Sequence, residues 1–301
     1  MSAALTTLNA PLEAHRFVLD CVQSGVYVVD TNRRIVIWNP AAEKISGHGR
    51  RSIEGRCCGD TLLAHVDRNG IPLCKGRCPL AATLADGLPR NASVFLRHQC
   101  GHRVAVEVHI ERITDGTGRV LGAVESFVRK DPRQLAAEPV GDSSSMDPLT
   151  GLPDGRHAAL QLSVLLAEAR VFGLPITGVF LKLDPLPGGE TMVRRHALLA
   201  VARTLADAFP KALVARWDTT SFLIIESDPT EDPGGQAALA EGMVSACQVE
   251  HDGAIVKLSA RAAAMQSLAA DDASAFIWRL ERSLLDVGAN GGGLDGVFVG
   301  V

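Results

Sequence analysis

Residues Val214-Ala215-Arg216-Trp217-Asp218-Thr219-Thr220-Ser221-Phe222-Leu223 decide how the second half of this 301-residue chain is read. Apolar residues on both sides of the polar run Asp218 to Ser221 predict two short strands, 213–216 and 221–225, joined as a hairpin. Upstream, Ile176 to Leu183 reads as a buried strand, with a helix over 158–169 before it and another over 194–209 after it. Downstream come a helix over 236–247, a strand over 254–260 and a last helix over 274–286. Helix and strand alternate from Asp147 onward, which is the pattern of an α/β domain.

The first half is organised differently. A short helix over 15–23 runs into a strand, Gly25 to Asp30, and the polar turn Thr31-Asn32-Arg33-Arg34 leads to a second strand, Ile35 to Trp38. Asn39 is placed to cap the next helix, with Pro40 at its first position. Three more strands follow near 92–98, 103–113 and 119–128, the last two separated by Asp115-Gly116-Thr117-Gly118. Between the halves, residues 131–145 carry prolines and a serine run that forbid one continuous helix. The expected domains are therefore a tail at 1–13, a sensor-like α+β domain at 14–130, a linker at 131–145 and an α/β domain at 146–301.

The first of these resembles a PAS sensor domain, on Gly25 to Asp30, Trp38-Asn39-Pro40-Ala41-Ala42, Gly101-His102-Arg103 and Gly118 to Gly122 taken in order. That resemblance implies an antiparallel sheet cupping a small cavity, flanked by helices, and dimerisation through the helix before the first strand. The second domain resembles GGDEF domains, which condense two GTP molecules into cyclic di-GMP, on its opening Met146-Asp147-Pro148-Leu149-Thr150-Gly151-Leu152-Pro153 and on the hairpin quoted above. Such condensation needs divalent cations held by hard oxygen ligands. Residue by residue, the resemblance places Lys182 where the family has its first metal-binding acid and leaves Asp184 as the second acid. The signature itself becomes Asp218-Thr219-Thr220-Ser221-Phe222, with Thr220 in place of a carboxylate and Asp218 and Thr219 in place of two glycines. The guanine-binding segment aligns with the shorter Pro185 to Thr191, and the inhibitory product site with Phe209-Pro210-Lys211-Ala212, neither carrying the family's residues. The implied reading is a cyclase fold without cyclase activity; the alternative is a GTP-binding or weakly active cyclase-like enzyme.

Composition narrows the partners. Hydrophobic residues make up 47% of the chain, no stretch is apolar enough to span a membrane, and acids and bases are mixed to a net charge of −4. A cytoplasmic protein with no nucleic-acid or membrane partner is expected. The resemblance adds a homodimer and a signalling protein partner whose identity the sequence leaves open.

Seven cysteines in a reducing compartment are not a disulfide framework. Cys21 and Cys247 sit among apolar residues and read as small core side chains. The others cluster: Cys57-Cys58, then His65, then Cys74-Lys-Gly-Arg-Cys78-Pro79-Leu80, then Cys100 between His98 and His102. Two cysteines with three residues between them on a turn can converge on one ion, and Cys58 with His65 completes a tetrahedral set. Cys57, His98, Cys100 and His102 are lesser candidates. Four readings stay open: a zinc or similar metal site, a thiol–disulfide switch, an iron–sulfur cluster or haem held by thiolate, and cysteines unrelated to one another.

Overall fold

The computed structural model describes residues 16–60, 62–130, 145–186, 191–227, 232–251 and 253–289. The tail, residues 131–144 of the expected linker and residues 187–190 of the shortened loop lie outside that set.

Five antiparallel strands form the first sheet: β1 (Gly25–Asp30), β2 (Ile35–Trp38), β3 (Arg90–Arg97), β4 (Arg103–Thr114) and β5 (Val120–Arg129), in the order β2-β1-β5-β4-β3. A helical turn over residues 16–20 (α1) precedes β1. Helices α2 (Pro40–Ser46), α3 (Arg50–Ile53) and α4 (Pro79–Asp86) intervene between β2 and β3. Asn39 holds the entry to α2. Its side-chain oxygen accepts from the Ala42 amide at 2.8 Å and the Val26 amide at 2.9 Å, and its amide nitrogen donates to the Leu19 and Ser24 carbonyls. One buried side chain thus satisfies four backbone groups and ties α1, β1 and α2 together. The core on the helix side of the sheet contains Tyr27, Trp38, Ile53, Leu63, Leu80, Val106, Val108, Ile110 and Phe127.

The second sheet has the order β11-β6-β8-β7, from β6 (Thr177–Leu183), β7 (Leu213–Arg216), β8 (Ser221–Glu226) and β11 (Ala260–Gln266). Helices α5 (Gly155–Phe172) and α8 (Ala273–Ala289) supply Leu162, Leu166, Phe276 and Leu280 to its core. The expected strand over 254–260 is corrected. Residues Ala254–Lys257 form β10, which pairs with β9 (Gln248–His251) in a separate hairpin, and the strand that joins the main sheet starts at Ala260.

Packing groups the described residues into two units, one drawn from 1–138, 186–210 and 242–258, the other from 139–185, 211–241 and 259–301. The division read from the sequence runs in chain order, whereas packing interleaves the two halves. Within the first unit, α6 (Thr191–Ala208) and the turn after α7 (Pro233–Ser245) meet β4. The Arg103 amide donates to Thr204 Oγ1 at 2.9 Å, the Ala105 amide donates to Asp207, and the Arg103 guanidinium donates to the carbonyls of Ala64 and Ala246.

Candidate functional site

A small buried cavity lies on the core-facing side of the first sheet. Its volume is about 10 Å³, room for a single water-sized body, and its walls include Tyr27, Cys58, His65, Cys74, Cys78 and Glu125. The four residues expected to converge, Cys58, His65, Cys74 and Cys78, do line one space. Cys57, His98, Cys100 and His102 do not line it. His98 and His102 instead stack on each other at 4.3 Å in the turn before β4, with His98 Nδ1 accepting the Cys100 amide. Cys100 is exposed and Cys247 is buried; Cys21 is exposed, which corrects its expected place in the core.

Each wall residue is positioned by backbone pairing. The Cys58 amide donates to the Arg33 carbonyl at 2.9 Å, carrying residues 55–58 along the edge of β2 and turning the thiol inward. Val66 bridges to Phe95 of β3 and to Pro72, and this pins the loop that presents His65. The Cys74 sulfur accepts a backbone hydrogen bond from His65, and Cys78 is the N-cap of α4, followed by Pro79. Glu125 was not anticipated. It lies in the middle strand, directly opposite Tyr27 of β1 and Ile110 of β4, and is only 2% exposed. Residues opposite one another share a face, so the carboxyl points into the core. A period-two reading of Ala123-Val124-Glu125-Ser126-Phe127 would have found it, since Ala123 and Phe127 are buried on the same side.

Burial sets the charge state. It pushes the Glu125 carboxyl up to about 8, against a hydrogen bond from Tyr27 that pulls it down. It lowers the His65 imidazole to about 4, with Arg103 adding to the effect. Burial also raises the Cys58 and Cys74 thiols, with Glu125 and the neighbouring cysteines pushing Cys58 further. At neutral pH these groups are therefore uncharged: a protonated acid, a neutral imidazole and protonated thiols. His65 Nε2 and Glu125 Oε1 stand 3.9 Å apart, too far for a hydrogen bond, and both are buried without a partner. Among the described residues, no group of three or more His, Cys, Asp or Glu side chains is arranged to hold a metal ion as placed. The donors line the space without closing on its centre.

The hairpin of the second unit tells another story. Asp218 turns its carboxylate back on its own loop, accepting from the Thr220 amide at 2.7 Å and the Ser221 amide at 2.8 Å. Partial burial raises this carboxyl, but those bonds and nearby Lys182 bring it below its ordinary value. Lys182 is exposed on β6 between Ser221 of β8 and Arg261 of β11, while Asp184 pairs with Arg261 at 3.5 Å. Thr219 is exposed, Thr220 gives its carbonyl to the Leu183 amide, and Phe222 is fully buried. Arg216 donates to Asp147 at 2.8 Å, and Asp147 also accepts from Thr150, which locks the opening turn to the hairpin. The polar groups at this tip are engaged with one another.

Residues 19–129 match the family model of the PAS fold, and this segment has the PAS architecture. No curated protein sequence matches the chain. Among solved structures, the chain is similar to the diguanylate cyclase SiaD of Pseudomonas aeruginosa, solved in complex with its activator SiaC, at 21% identity and a TM-score of 0.45. That match covers 50% of this chain and 60% of the SiaD chain. It is similar to the GGDEF domain of DgcB from Caulobacter crescentus in complex with c-di-GMP, at 17% identity and a TM-score of 0.46, over 52% of this chain and 94% of that one. The PAS domain of a Colwellia psychrerythraea protein is similar at 17% identity and a TM-score of 0.35, over 41% of this chain and 99% of that one. Among the described residues, no helix is long and apolar enough to cross a membrane.

Proposed function

We propose that this chain, with its PAS fold over residues 19–129, is a bacterial protein of cyclic di-GMP signalling whose sensor acts through the cysteine cavity and whose GGDEF-like half is not catalytic. The observation that carries the reading is the meeting of Cys58, His65, Cys74 and Cys78 with Glu125 around one buried space in a fold built to hold ligands. The signal is a metal ion or a change in thiol oxidation. A space for a single water-sized body suits an ion and does not suit a porphyrin or an iron–sulfur cluster.

The output half works by docking, on a second copy or on a signalling partner. Support comes from the hairpin: Lys182 and Thr220 stand where the cyclase family has carboxylates, and Asp218 puts negative charge where a phosphate would approach. A GTP-binding role through Lys182 is disfavoured by the nearby Asp218 carboxylate, which offsets the lysine's charge.

Elemental analysis of the full chain, purified without a metal-affinity tag, beside a thiol count before and after mild oxidation, tests the sensor. A bound metal or a reversible loss of thiols is expected. Protein free of metal and cofactor, with cysteines indifferent to oxidant, would overturn it.

A further inference from the structure

Two polar atoms in the cavity, His65 Nε2 and Glu125 Oε1, face each other at 3.9 Å with no partner. A buried polar group is normally satisfied, so the pair points to an occupant between or beside them. Three thiols, those of Cys58, Cys74 and Cys78, line the same cavity. Three sulfurs with one imidazole nitrogen are the donor set of a tetrahedral site for a soft divalent cation. Two features set positive charge beside these sulfurs. The guanidinium of Arg33, a residue held at a φ of 61° in the β1–β2 turn, bonds Cys78 and faces Cys58, and the positive end of α4 begins at Cys78.

We propose that the cavity binds one soft divalent cation of the zinc class through the sulfurs of Cys58, Cys74 and Cys78 and Nε2 of His65, with the Glu125 carboxyl beside it. This rests on the reading of the cavity as the sensor and names its ligand. No three of these side chains stand at ion-holding spacing before uptake, so binding draws the sulfurs inward by rotation about their Cα–Cβ bonds. Each thiol releases its proton to solvent as its sulfur takes the ion, and three protons leave for each cation bound. The movement is confined to the segment between β2 and β3, and it gives the sensor two states.

The test uses the full chain, purified without a metal-affinity tag, stripped by chelator under reductant and titrated with Co²⁺ as the probe. One equivalent is expected, with sulfur-to-cobalt charge-transfer absorption and the visible bands of a tetrahedral site, displaced by Zn²⁺. In zinc-loaded protein, alkylation should spare Cys58, Cys74 and Cys78 while labelling the exposed Cys21 and Cys100. Cys74→Ser and Cys78→Ser should each weaken binding by about 100-fold or more, at least the loss seen when outer partners of metal ligands are removed. Circular dichroism checks that both variants fold, and the alkylation pattern of the unmutated chain tests the site without them. Absence of the charge-transfer band, or full affinity in both serine variants, overturns the proposal. If mild oxidant instead removes two hydrogens and joins two of these cysteines, cation binding is overturned while the sensor reading stands. With neither result, both fall.

Discussion

Glu125→Gln in the metal-free chain isolates the charge balance of the cavity. In the folded chain burial holds this carboxyl at about 8, against an ordinary value of 4.5. A tenfold change in proton affinity corresponds to about 1.4 kcal/mol, so from pH 8 upward the ionised side chain costs the fold on the order of 4–5 kcal/mol. The sign follows from proton counting. Between pH 4.5 and 8 the folded chain keeps this proton and the unfolded chain has lost it, so stability falls as pH rises. His65 works in the other direction: its folded value is lowered to about 4 from 6.5, so stability falls as pH drops through that window. Glutamine keeps the size and the hydrogen bond to Tyr27 and removes only the first titration. The variant should match the parent near pH 4.5 and exceed it by about 4–5 kcal/mol at pH 8. Urea unfolding read from Trp38 fluorescence, in a background with Trp217 and Trp278 changed to Phe, measures the difference. A difference that stays constant across this range would refute the reasoning.

Three further outcomes follow from named contacts. Asn39→Ala removes a helix cap and strands buried backbone groups at Val26, Leu19 and Ser24, and should lower stability by about 2–4 kcal/mol in denaturant titrations. A double-mutant cycle on Asp147→Ala and Arg216→Ala should return a coupling of about 1 kcal/mol, because both side chains of the pair are 15% exposed and only partly screened. Restoring the hairpin alone, as Asp218→Gly with Thr219→Gly and Thr220→Glu, should yield no cyclic di-GMP from GTP, since Lys182 still stands where the GGDEF resemblance puts the other metal-binding acid; product in that assay would show the hairpin to be the sole defect.

Much of this molecule could be read from residue pattern because the deciding signals were local. The hairpin around Asp218 was legible from a polar run between apolar pairs, and the PAS order from capping and turn residues such as Asn39 and Gly118. The cysteine cavity was legible as a set because Cys74 and Cys78 share one turn. Glu125 escaped because a charged residue in a strand is usually given to the solvent face; only its register opposite Tyr27 and Ile110 places it inside. The separate β9–β10 hairpin escaped for a different reason. Ala254 to Lys257 has the β-branched content of a buried strand, yet its side chains are largely exposed and its partner is β9. Cys21 failed the same test in reverse, since apolar neighbours in sequence do not fix which face of a short helix end is covered. The grouping of α6 with the first sheet depends on Arg103, Thr204 and Asp207, residues about a hundred positions apart, and no local pattern carries that.

The central claim is that this chain works through its cysteine cavity and not through nucleotide chemistry. Incubating the purified full chain with GTP and Mg²⁺ or Mn²⁺, and resolving the nucleotides by liquid chromatography and mass spectrometry, tests it most directly. The account predicts GTP recovered unchanged, and cyclic di-GMP formed in proportion to protein would contradict it.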